Sequence, residues 1–190
     1  KAVGNACEVE EAIAIMTPGS PLSADGELSV ELASLMVSLS KDIPLDEAVK
    51  ECRAKLSDGS ALSKFREMVA SHGGSLERFE GLLRRPVFRF TLQAMRSGFV
   101  SAIDAERVGK VALSLGAGRE KAGDAIDPLA GVKLSVAVGD RVAVGAALAT
   151  LEKSADPDGL ERSAAELLKA FEISSEKADA VKSLVLERIV

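Results

Sequence analysis

Few side chains in this sequence have the type and spacing to do chemistry, and several of them crowd its start. The opening stretch KAVGNACEVEEAI places Glu8, Glu10 and Glu11 just inside the first segment with helical character. The spacing Asn5-x-x-Glu8 is that of a capping box, in which the Asn5 side chain serves the first turn and the Glu8 carboxylate reaches back to the cap's backbone N–H. That accounts for Glu8. Glu11 needs another account. At 100° per residue it falls beside Glu8, off the Val9, Ile13, Met16 stripe, and no Lys or Arg stands at positions 7, 8, 14 or 15 to pair with it. One reading is a solvated glutamate. The other is a carboxylate that reaches back to the turn before the helix, where a carbonyl such as that of Ala2 shares a cation with it.

The remaining reactive residues do not assemble into a site. His72 is the only histidine, so no Ser-His-Asp set or HExxH element can be built, and no paired acids have catalytic spacing. His72 falls in the last turn of a helix before Gly73-Gly74, where a cap role and the helix dipole suit it. Cys7 and Cys52 lack CxxC or Cys/His spacing and read as reduced, buried thiols. The loop Leu115-Gly116-Ala117-Gly118-Arg119 has the wrong polarity for a phosphate cradle. Its glycines follow a helix, where carbonyls point out, whereas a cradle needs the N–H groups that precede one. A C-cap with a surface Arg119 is expected there. From the residues alone, no catalytic and no cofactor-binding residue is expected in this chain.

The elements that carry these residues change character along the sequence. Apolar periodicity predicts helices over 5–16, 27–40, 45–56 and 60–71. Near Arg84-Arg85-Pro86 the period becomes two. Phe88, Phe90 and Leu92 alternate with polar residues as in a half-buried strand, and Phe99–Ile103 reads as a second strand after the turn at Ser97-Gly98. Asp104 caps a helix over 105–115. The stretch GVKLSVAVGDRVAVGAALATLE gives short strands broken at Gly139-Asp140 and Gly145, as in a small, strongly curved sheet. A last helix is predicted over 158–171, with Pro157 at its start, and a last strand over 184–190. The fold class is therefore α+β: a helical segment, residues 1–82, followed by an α+β domain, residues 83–190.

Composition narrows the function classes. The chain has 190 residues, 47% of them hydrophobic and 28% charged, with a net charge of −5. This describes a folded chain without the basic footprint of a nucleic-acid binder. No apolar run approaches the roughly 20 residues that span a bilayer, and no signal-peptide layout is present, so a cytoplasmic protein without a membrane partner is expected. The stretch VGDRVAVGAALATLEKSA is similar to the half-repeat of biotinyl and lipoyl carrier domains. Its Lys153 follows Glu152 directly and leads into Ser-Ala-Asp-Pro, which is not the tip such carriers display. A carrier-like binding module and a helical interaction protein are the rival readings to an enzyme.

Three stretches together, AVGNACEVEEAI, DGSALSKFREMVASHGG and SGFVSAIDAERVGKVALSLGAGREKAGDAIDPLAGVKLSVAVGDRVAVGAALATLE, resemble the C-terminal part of the thymidine and pyrimidine-nucleoside phosphorylases. The likeness runs nearly end to end, in the same order and with similar spacing. It implies a pentosyltransferase that converts a pyrimidine nucleoside and phosphate to the free base and a pentose 1-phosphate. It implies that residues 1–82 are the C-terminal helices of an α/β domain and that residues 83–190 carry a hammerhead-like curved sheet. The family's phosphate loop and base-holding residues precede the matching region, so the chain alone is expected to be inactive. Its implied partners are the N-terminal half of the same enzyme and, in the complete enzyme, nucleoside, phosphate and a second copy as a homodimer. One family element maps here: a potassium ion held by backbone carbonyls and a glutamate, matched by the Ala2 carbonyl and the Glu11 carboxylate. The absence of an initiator Met then reads as a cut through an enzyme, either a nicked or split one or an isolated C-terminal portion.

Overall fold

The computed structural model describes residues 1–119, 121–177, 185 and 187. It is an α+β chain whose described residues form two compact units, one made of Lys1–Val9 together with residues 79–177, the other of Glu10–Arg78.

The helical unit follows the predicted periodicity. Helix α1 spans Ala6–Met16, α2 Ala24–Lys41, α3 Leu45–Ser57, α4 Ser60–Ser71 and α5 Leu76–Leu83. Both α1 and α5 run through the division between the units. Helix α2 starts earlier than expected because Ser23 caps it, its hydroxyl accepting from the Gly26 N–H at 3.2 Å. It ends where Asp42 takes the left-handed conformation, φ 53°. Pairs Arg53–Glu27 and Lys41–Glu51 brace α3 against α2. At the end of α4, His72 closes the helix as expected: its backbone N–H donates to the Met68 and Val69 carbonyls and its Nδ1 lies 2.8 Å from the Met68 oxygen. Helix α5 was not foreseen; Ser75 starts it by accepting from the Arg78 N–H.

The other unit is built on two antiparallel sheets. Strands are β1 Ala2–Gly4, β2 Phe88–Gln93, β3 Gly98–Ile103, β4 Gly131–Leu134, β5 Arg141–Val142, β6 Ala147–Lys153 and β7 Phe171–Ser174. The first sheet runs β1-β4-β6-β2 and the second β5-β3-β7. Helix α6, Ala105–Ala112, is capped by Asp104 as expected, the carboxylate accepting from the Arg107 N–H at 3.0 Å. It passes into a π-helical turn, Leu113–Ala117. Helix α7 spans Leu160–Leu168. The core joins sheet and helices: Val100, Val108, Val132, Leu148, Leu151 and Leu167 are at most 1% exposed. Burial of this apolar surface is the main term holding the unit together.

Three sequence expectations are corrected here. Residues 2–4 form a strand rather than a turn, because β4 supplies a partner remote in sequence. The last helix stops at Leu168, and Phe171–Ser174 extends as β7 because β3 pairs with it. Phe88, expected on the half-buried face of β2, is 43% exposed, while Leu92 on the same face is buried. The strand expected over 184–190 lies largely outside the described residues.

Candidate functional site

The residues singled out at the start of the chain converge on a clasp within the sheet-bearing unit. Strand β1 pairs with β4 in the register Ala2↔Lys133, Val3↔Val132, Gly4↔Gly131. The Leu134 N–H donates to the Lys1 carbonyl at 2.9 Å, which makes Ala2–Lys133 the next, non-hydrogen-bonded pair of the ladder. The Ala2 carbonyl is therefore turned away from β4. Among the described strands β1 is the end member of its sheet.

Glu8 and Asn5 do not form the expected reciprocal box. The Glu8 carboxylate accepts from the Gly4 N–H at 2.7 Å, one residue before the cap. The Asn5 carboxamide leaves the helix end and donates to the Ala117 carbonyl at 2.6 Å. The Ala6 N–H donates to the Pro128 carbonyl at 3.0 Å. The start of α1 is thus fastened to the π-helical turn and to the loop before β4. Sequence reasoning assigned Glu8 to the helix N-terminus correctly but had no means of finding a partner 112 residues away.

Glycines make the approach of β1 to β4 possible. A methyl group on Gly4 would lie 2.6 Å from the Ala130 oxygen and 2.9 Å from the Gly131 Cα, and one on Gly131 would lie 2.9 Å from the Val3 oxygen. The Cys7 sulfur fills the space above both, within 2.9 Å of either added carbon. Cys7 is buried and unbridged, and burial pushes its thiol above the ordinary range although Lys133 works in the opposite sense. Cys52 is also a free thiol, half-buried in α3.

The far side of the clasp is organised by Asp127, which the sequence reading passed over. Gly116, at φ 104°, lets the chain reverse after the π-helical turn, and its carbonyl accepts from the Asp127 N–H at 2.9 Å. The Asp127 carboxylate accepts from the Ser154 N–H (2.6 Å), the Ser154 hydroxyl (2.8 Å) and the Leu129 N–H (2.9 Å). Burial disfavours the charged form and acts to raise its pKa, but these donors, with the Ala155 N–H, win and hold the carboxyl below the usual range. Arg119 follows the glycine loop as expected, and its Nε donates to the Asp124 carbonyl at 3.1 Å.

Glu11 is half-buried in α1, one helical turn beyond Glu8. Ala2 lies in the sheet-bearing unit and Glu11 in the helical one; a carbonyl and a carboxylate are oxygen donors of the kind a hard cation takes and a thiophilic metal does not. Among the described residues no group of three His, Cys, Asp or Glu side chains is placed to hold a metal ion. Lys153, the residue a carrier domain would display, is 14% exposed at its side chain. Its ammonium donates to Asp156 (3.2 Å) and to the Asp158 carbonyl (3.1 Å). A modified lysine must swing free at a tip, and this one is tethered. No helix among the described residues is long and apolar enough to cross a membrane.

Residues 99–174 match a family model described as the pyrimidine nucleoside phosphorylase C-terminal domain. Among curated proteins the chain is 37% identical over 153 residues to the pyrimidine-nucleoside phosphorylase of Bacillus subtilis, covering 79% of this chain and 35% of the relative. It is 35% identical over 190 residues to the thymidine phosphorylase of Mycobacterium tuberculosis H37Rv, covering 100% of this chain and 42% of the relative. The Geobacillus stearothermophilus pyrimidine-nucleoside phosphorylase is 37% identical over 153 residues, again 79% and 35%. The chain thus spans well under half the length of these relatives.

Proposed function

Because this chain carries a pyrimidine nucleoside phosphorylase C-terminal domain over residues 99–174, we propose that it is the C-terminal portion of an enzyme that phosphorolyses pyrimidine nucleosides to free base and pentose 1-phosphate. The observation that carries this reading is the likeness to a thymidine phosphorylase over all 190 residues. The enzyme is a pentosyltransferase of pyrimidine salvage, cytoplasmic and homodimeric when complete, with phosphate as co-substrate.

The reaction needs phosphate held in line with the glycosidic carbon, a hydrogen bond or proton for the departing base, and stabilisation of positive charge on the sugar. This chain supplies none of those groups. Its part is positional. Residues 1–82 are the closing helices of the α/β domain, and residues 83–190 are the C-terminal domain with its hammerhead-like sheet. The start of a compact unit at Phe79 supports a boundary near there, and residues 1–9 belong to that same unit, where β1 pairs with β4. The clasp fixes β1 and the first turn of α1 against the C-terminal sheet, which holds the Ala2 backbone in place. A potassium ion held by Ala2 and Glu11, together with oxygens from the N-terminal half, would supply fixed positive charge beside the phosphate-binding loop.

The test is phosphorolysis of thymidine and uridine by the chain alone and by the chain mixed with the N-terminal half. The chain alone is expected to be silent and the pair active. Turnover by the chain alone, or none by an assembled pair, would overturn the reading.

A further inference from the structure

Helix α2 has two apolar sides but only one that packs within its unit. Its inner side buries Gly26, Val30 and Ser34. Its outer side presents Ser29, Leu32, Ala33, Met36, Leu39 and Ser40 to solvent, with Leu32 50%, Met36 71% and Leu39 85% exposed. From Leu32 to Ser40 the helix contains no charged residue. The neighbouring helices look different: the exposed positions of α3 include Asp46, Glu47, Lys50 and Lys55, and those of α4 include Lys64, Arg66 and Glu67. A helix that ends in solvent carries charge on its outer face, and one that is apolar on both sides is built to be covered on both. Beside this face opens an apolar groove of about 370 Å³ lined by Ala12, Ile15, Val30, Ala33, Val37 and Leu56.

We propose that the outer face of α2, from Ser29 to Ser40, with the adjoining groove, is the docking surface for the N-terminal half of the same enzyme. The half lays an uncharged, apolar helical surface along it. The proposal rests on reading the chain as the C-terminal portion of a phosphorylase and adds the surface by which the two portions join.

Two observations select this occupant over a second copy of the chain. The thymidine phosphorylase of Mycobacterium tuberculosis is similar along all 190 residues, α2 included, yet these make up 42% of its length, so a body larger than this chain is available as the cover. The second is size. The helix from Ser29 to Ser40 is about 18 Å long and about 10 Å across, far short of the roughly 800 Å² that each partner buries in a stable dimer. The face cannot hold two copies together by itself, whereas a large body that also engages other surfaces needs no more from it than an apolar seat. Glu27–Arg53 and Lys41–Glu51, at the two ends of the face, fix α2 on α3, so the seat is formed before the partner arrives.

The experiment mixes the full 190-residue chain with the separately expressed N-terminal half and measures complex formation by analytical ultracentrifugation and titration, with thymidine phosphorolysis assayed on the same samples. A Met36→Glu/Leu39→Glu variant, whose folding is checked by circular dichroism because both sites are exposed, is expected to bind at least tenfold more weakly. Ser63→Glu, on the charged face of α4, is expected to bind as the parent does. A Leu39→Cys chain provides a second measurement independent of the charged variant: alkylation followed by peptide mass spectrometry should be slowed at least tenfold in the complex. A complex that tolerates the double variant and leaves position 39 as reactive as before would overturn the surface assignment while leaving the phosphorylase reading intact. Weakened binding and protection without any turnover would uphold the surface and overturn the activity. No complex with the N-terminal half, or a dimer of the chain alone that the double variant dissolves, would overturn the proposal.

Discussion

Asp127 and Ser154 meet twice: the carboxylate takes both the backbone N–H and the hydroxyl of the serine, at 2.6 and 2.8 Å. This pair joins the loop ahead of β4 to the residue just after β6, and the same aspartate starts the turn that brings Leu129 into the core. The relationship explains how a long glycine-containing loop can end in a fixed place.

Replacing Asp127 by Ala should cost about 1–3 kcal/mol, because it strands donors that a charged acceptor now satisfies. Denaturant unfolding of the two proteins measures this. The pH dependence carries a sign. The folded Asp127 carboxyl titrates below the unfolded one, so its stabilisation is complete above the unfolded value of about 3.9 and fades as pH falls through the folded value. Asp127→Asn should therefore be less stable than the parent at pH 6, with the gap closing towards pH 2. A gap that persists unchanged at acid pH would show that the charge contributes nothing.

The glycines facing each other across β1 and β4 should be intolerant of a single methyl. Gly4→Ala and Gly131→Ala each push a carbon to within 2.9 Å of backbone atoms, and overpacking of that kind costs about 1–3 kcal/mol. Gly109, inside α6, has nothing within 4 Å of an added methyl, and Gly109→Ala should stabilise by about 0.5–1 kcal/mol through helix propensity. Thermal melting of the three variants compares opposite signs for one chemical change.

The two thiols should separate in alkylation. Cys7 is buried with its thiol held above the ordinary range, while Cys52 is half-buried. Because the thiolate is the nucleophile, Cys7 should react at least about tenfold more slowly than Cys52 at pH 8 under native conditions, and the two should become equal in denaturant. Peptide-level mass spectrometry reads both. Equal native rates would show that β1 opens readily from β4.

The proposed cation site predicts an ion dependence that the isolated chain does not share. In the assembled enzyme, exchange of sodium for potassium should raise the melting temperature and thymidine turnover, and Glu11→Gln should abolish both gains. Alanine at Glu8, whose carboxylate serves the Gly4 N–H, should lower stability by about 1 kcal/mol without removing the ion dependence. The same dependence in the Glu11 variant would remove that residue from the site.

Local order explains what could be read in advance. Helices α1 to α4, strands β2 and β3, and the cap at Asp104 each carry their signal within a dozen residues, as a period or a capping spacing. Helix α5 escaped because LERFEGLL is short and interrupted by Gly81. Phe171 continued the apolar stripe of α7 in sequence, yet pairing with β3 drew it into a strand. The clasp was legible only in its near half. Asn5 and Glu8 stood out by type and spacing, but Asn5 looked like a cap because its true acceptor, the Ala117 carbonyl, depends on the π-helical turn. Asp127 drew no attention, since nothing in the sequence places Ser154 beside it.

The pairing of β1 with β4 also sets an order of events as the chain is made. Helices α2 to α4 draw on contacts between near neighbours and can form while synthesis continues, within the fast regime of local topology. The sheet-bearing unit cannot close in this way. Asn5 must wait for Ala117, 112 residues later, and residues 2–4 must stay unpaired until β4 has been made. During that interval the edge formed by residues 2–4 lacks its partner strand, the kind of unpaired edge that invites wrong pairing.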